Sequence, residues 1–181
     1  RTKRQTYPYV LESMYKNEAD FDGKRVELLK DPSEDIRKNG LLFIGGDGKV
    51  GLVPQPNHTF SIEIFHEIVR LTSAKSGSER SAAAYALDRM SAFDPVAAKT
   101  VFLRLAKDPD SDVRWRSAVA LKNQRGQKDV DLMYKALLND PSPEVRHMTQ
   151  ISMASVKGKS SVTNITGIAG NSNATGAVVS K

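Results

Sequence analysis

Leu105–Leu121 reads LAKDPDSDVRWRSAVAL, and its layout recurs. LLKDPSEDIRKNGLLFI (28–44) and LLNDPSPEVRHMTQISM (137–153) align with it without gaps. Each has an apolar helix end, Asp-Pro, a short polar turn and then Val/Ile-Arg. Asp and Arg stand six residues apart in every copy: Asp31 and Arg37, Asp108 and Arg114, Asp140 and Arg146. A degraded fourth copy, LTSAKSGSERSAAAYAL (71–87), puts Ala74 at the Asp place and Arg80 at the Arg place. The copies begin 43, 34 and 32 residues apart.

The unit can be read physically. A first helix stops before Asp-Pro, because proline disfavours helix in the residue ahead of it. Ser or Asp then caps a second helix. In Pro-Ser-Pro-Glu, Ser142 is the N-cap and Pro143 the first helical residue. Second helices carry apolar residues at three-to-four spacing. First helices are expected over Phe60–Ser73, with Ile64, Ile68 and Leu71 on one face, and from Asp94, as cap, to Lys107. A further one is expected over Gln127–Asn139. Helix pairs that cannot bury their apolar faces alone must stack on one another.

The unit resembles HEAT repeats, in particular the short bacterial type with D-P-x-x-x-V-R at the start of the second helix. The resemblance covers residues 24–155. It implies an all-α, right-handed α-solenoid of about four helix pairs. It also implies a structural ladder in which Asp31, Asp108 and Asp140 pair with Arg37, Arg114 and Arg146 within or between repeats. With Ala74 at the acid place, the ladder should break at the second repeat.

Three regions depart from the unit. Residues 1–23 form an N-terminal arm whose Tyr9–Glu18 segment reads as a helix capping the first repeat. The insertion loop at 45–59, GGDGKVGLVPQPNHT, matches a dinucleotide fingerprint formally at Gly46, Gly48 and Gly51. It follows a helix and leads into Pro54-Gln-Pro56, the wrong context for nucleotide binding. Residues 156–181 are rich in Gly, Ser, Thr and Asn, with no acid and no aromatic. They read as a non-helical tail, and Val162, Ile165, Ile168, Val178 and Val179 suit strand pairing on a neighbouring subunit.

The net charge of +6 points first to nucleic acid. Its distribution weakens that reading. Residues 1–16 balance at +3, residues 156–181 at +3, and the body between them at zero. The body therefore lacks a phosphate-binding patch. Cysteine is absent, which excludes disulfides and thiolate metal sites. No apolar run approaches the ~20 residues of a membrane span. The chain opens with Arg1, which fits loss of a leader or an excised segment. The localisation expected is that of a soluble bacterial chain, cytoplasmic or exported. His58, His66 and His147 show no metal-site spacing, and no nucleophile elbow or P-loop occurs. No catalytic residue, metal or cofactor is expected.

Position two and position six after the Val/Ile of each second helix share one face. They read Lys38 and Leu42, Ser81 and Tyr85, Trp115 and Val119, His147 and Ile151. HEAT-like units usually keep these places polar, whereas here the second place is apolar or aromatic every time. The expected function is therefore a non-catalytic adaptor or complex subunit. It would take a partner's helix or strand on this stripe, along a concave face. A nucleic-acid-associated solenoid using the basic ends is the alternative, and a HEAT-like lyase-type enzyme the second alternative. Steep salt dependence would mark the former, and a bound pigment the latter.

Overall fold

The computed structural model describes residues 21–46 and 61–160. Among them every regular element is helical. The helices run in consecutive pairs: α1 (Phe21–Lys30) with α2 (Glu34–Gly45), then α3 (Ile62–Leu71) with α4 (Gly77–Met90). Next come α5 (Pro95–Leu105) with α6 (Ser111–Ala120), and α7 (Lys128–Leu137) with α8 (Pro143–Ser160). A short 3-10 turn, Lys122–Gln124, follows α6. The second helices pack in series, α2 on α4, α4 on α6 and α6 on α8. The first helices form the other layer, α1 on α3 and α5 on α7. This is an α-solenoid.

The helix starts follow from capping chemistry. Asp94 accepts from the Ala97 N–H at 2.9 Å ahead of Pro95. Asp110 accepts from Asp112 at 2.9 Å, and Ser142 from Val145 at 3.4 Å ahead of Pro143. Such caps satisfy N–H groups that have no partner inside the helix. Between the layers lies one continuous core, with Leu29, Leu41, Ile64, Ile68, Leu87, Phe102, Val113, Leu121, Val130 and Val145 essentially sealed from water. Gly40 sits where a Cβ would crowd Leu28, so α1 and α2 approach closely there.

Two boundaries differ from the sequence reading. α8 continues to Ser160, beyond the expected tail boundary at 156. No proline interrupts it, and composition does not fix a helix end to the residue. α2 stops at Gly45 because Gly46 takes a left-handed conformation, φ 75°, and its N–H bonds Leu42 O and Phe43 O. That is a glycine C-cap, not the opening of a phosphate loop. The capping helix expected at 9–18, the rest of the 45–59 insertion and residues 161–181 lie outside the described residues.

The pairs are joined by arginine forks. Arg114 Nη1 donates to its own turn, to Asp108 O and Pro109 O, both at 2.9 Å. Its Nε and Nη2 reach forward to both carboxylate oxygens of Asp140, at 2.7 and 2.8 Å. Arg80 repeats the pattern. It donates to Ala74 O and Lys75 O, and forward to Asp108 at 2.8 and 2.7 Å. Arg37 holds Asp31 O and Pro32 O. All three charge pairs therefore run between repeats, while contacts within a repeat go to carbonyls.

The expected break at the second repeat does not occur. Arg37 meets Glu79 instead, at 2.5 and 3.0 Å, and Glu79 is 2% exposed. Glu79 starts five residues after the missing acid, on the first turn of α4. Its longer side chain carries a carboxylate to the place an aspartate at 74 would fill. Bidentate arginine–carboxylate pairs of this kind are the strong ones.

Leaving Arg37 without an acid should be costly. Glu79→Ala is expected to destabilise by about 3 kcal/mol, as for breaking a buried pair. Adding Ala74→Asp should recover most of the loss. Urea unfolding of the single and double variants measures both.

The ladder also sets an acid limit. Arg114 hydrogen bonds, aided by the Ser142 N–H, hold the Asp140 carboxyl below its usual range despite burial. At Asp108 burial pushes upward, but the Arg80 bonds and the Asp110 N–H outweigh it, and the net direction is again down. Carboxyls depressed in the fold stabilise it above their unfolded value near 4, and the contribution is lost as pH falls through the folded value. Unfolding free energy should drop below about pH 4, and Asp140→Asn should flatten that drop while lowering stability at pH 7.

Candidate partner-binding face

The stripe positions fall on the row of second helices, α2, α4, α6 and α8, but not with equal exposure. Leu42, Tyr85, Trp115 and Val119 are half-buried, and Lys38 is half-buried with its Nζ 3.9 Å from Asp35. His147 is exposed and Ile151 is 47% exposed. Leu42 and Trp115 also pack against the edge of the core.

Ser81 does not belong to an open surface. It is 7% exposed, and its hydroxyl accepts from Arg116 Nε at 2.7 Å. The reason lies one helix away. Arg116 on α6 reaches back over α4, covering Ser81.

Arg116 is the residue that the stripe pattern missed. Its guanidinium carbon lies 4.6 Å from the Trp115 ring centre and 5.2 Å from that of Tyr85. One cation thus links the aromatic residues of two neighbouring helices. Burial lowers its pKa, with the Asp112 charge opposing. Each such contact strengthens as the cation is desolvated. Trp115 Nε1 points to Asp112 Oδ1 at 3.3 Å, which orients the indole along α6. The available signal was the Trp-Arg pair one turn beyond Asp112, with a tyrosine at the matching place of the previous copy.

Tyr85 has a seat on its other side. A Cβ at residue 45 would overlap the Tyr85 ring, so only glycine lets the ring lie against the end of α2. Arg89 Nε donates to Gly45 O at 2.9 Å beside it. Gly45, Tyr85, Arg116 and Trp115 therefore form one continuous patch across three helices.

Other features offer less. An open depression at the α5–α6 turn is lined by Leu103, Arg104, Leu105, Lys107, Asp108 and Pro109. Its Arg104 and Asp108 are already bonded to Thr72 and Arg80. Among the described residues no cluster of His, Asp and Glu is placed to hold a metal ion. His66 is exposed in mid α3, and His58 lies outside the described residues. No described helix is long and apolar enough to cross a membrane.

A family model described as HEAT repeats matches residues 67–173, more than half of the chain. The match begins within α3, so the first pair is recognised by its turn and its rung rather than by the family pattern. No curated protein matches the chain.

The patch makes its own prediction. Gly45→Ala should displace Tyr85 and shift the emission of Trp115, the single tryptophan. Arg116→Ala should shift the same emission from the other side of the contact. Fluorescence spectra of folded variants, checked by circular dichroism, test this.

Proposed function

The chain belongs to the HEAT-repeat family, and we propose that it acts as a non-catalytic adaptor that receives a partner protein segment on the row of second helices. HEAT repeats generally mediate protein–protein contact. The observation that carries the reading is the Tyr85–Arg116–Trp115 patch, continued by Leu42, Val119 and Ile151. Tyr, Trp and Arg are the residues most often found as interface hot spots. Here they are held by packing and hydrogen bonds before any partner arrives, which lowers the ordering cost of binding. Aromatic faces flanking one cation suit a helix or extended segment with apolar side chains on one face. Lys38, Leu42, Val119, His147 and Ile151 would contact its two ends.

The test is affinity capture of partners by the full chain, followed by titration of the captured partner. Trp115→Ala and Tyr85→Ala should each weaken binding by at least ~1–2 kcal/mol, the scale of hot-spot truncation. Binding should change little with salt, whereas phosphate-driven binding would fall steeply. Unchanged affinity in folded variants rules out this face.

A further inference from the structure

Every rung takes an arginine from one pair and an acid from the pair that follows. At the last described pair one arginine is left over. Arg146 Nη1 donates to Asp140 O at 2.6 Å and to Pro141 O at 3.0 Å, the same turn contacts that Arg37, Arg80 and Arg114 make. Among the described residues no carboxylate meets its Nε and Nη2. Residues 145–181 contain no Asp or Glu.

At the first pair one acid is left over. Asp31 Oδ1 accepts from the Ser33 N–H at 2.7 Å, as Asp108 does from Asp110 and Asp140 from Ser142. Among the described residues no arginine donates to its carboxylate. It is half-exposed, while the side chains of Asp108 and Asp140 are 8% and 6% exposed.

The helix face beside Arg146 is open as well. Four residues after the fork arginine, Ala84 and Ala118 are buried, at 1% and 0%. The matching Gln150 is exposed, and its neighbour Ile151 is 47% exposed where Tyr85 and Val119 are half-buried. In the earlier pairs this surface is the joint to the next pair.

We propose that a second copy of the chain docks head to tail at this end, its Asp31 turn supplying the acid for Arg146. The open Nε–Nη2 edge of Arg146 and the Asp31 carboxylate, which no arginine meets among the described residues, are complementary in charge and keep the turn contacts of the formed rungs. Such a contact uses different surfaces on the two copies, so it builds rings or open chains of subunits. It rests on the ladder and not on the Tyr85–Arg116–Trp115 contact, and it shares Ile151 with the face proposed for a partner, so Asp31→Arg, which lies off that face, separates the two readings.

Sedimentation velocity of the full chain over a concentration series tests it. The wild-type chain should show a faster species that grows with concentration and fades with salt. Asp31→Arg and Arg146→Asp should each weaken association about tenfold or more, as for close interfacial charge pairs. An equimolar mixture of the two variants should recover it, because each then offers the charge the other lacks. If Arg146→Asp does not fold, Ile151→Arg takes its place and should likewise weaken association. A wild-type chain that stays monomeric, or association unmoved by Asp31→Arg, overturns the proposal. So does a folded variant pair whose mixture remains monomeric.

Discussion

The arginine fork at each turn is the contact on which the array depends. One guanidinium has five donors in a fixed plane, and here they face two ways. One edge binds carbonyls left open where a first helix ends. The other edge binds the acid of the following pair. A single side chain therefore shapes the turn within a repeat and sets the spacing to the next one. Lysine, with a point charge on a flexible stem, could not do both.

The fork explains why the pairs remain in register although the separations between them differ. The insertion between α2 and α3 lengthens the first interval, yet Arg37 still finds an acid in the second pair. The layers follow. With the turns fixed, α2, α4, α6 and α8 must lie side by side, and their shared face brings Tyr85 and Trp115 within reach of one cation.

Much of this was legible in the sequence because the unit is written four times. The Asp-to-Arg spacing, the Ser142 and Asp94 caps and the helix pairs were all visible as pattern. The missing parts are those that do not repeat. Glu79 replaces an acid from a different position, so an alignment by place records a gap where space records a carboxylate. Ser81 lies on the expected face but is covered by Arg116, a residue at a place occupied by Asn39, Ala82 and Met148 in the other copies. Periodicity assigns a side chain to a face. It does not report what reaches across from the neighbouring helix.

A second set of donors runs opposite to the forks. Arg70 on α3 donates back to Leu29 O at 3.0 Å, and Arg104 on α5 reaches Thr72 Oγ1 at 2.6 Å. Leu29 and Thr72 occupy the same place in their repeats. The fourth repeat has Ala136 where these arginines stand. There the Tyr134 hydroxyl donates to Ala118 O, and burial raises the pKa of Tyr134 to about 12. The second and third pairs thus hold the end of the preceding first helix through an arginine, whereas the fourth pair holds the preceding second helix, α6, through a tyrosine. The modules look alike in outline but are not interchangeable. The fourth repeat, moved to an earlier place in the array, would arrive without the arginine its new neighbour requires.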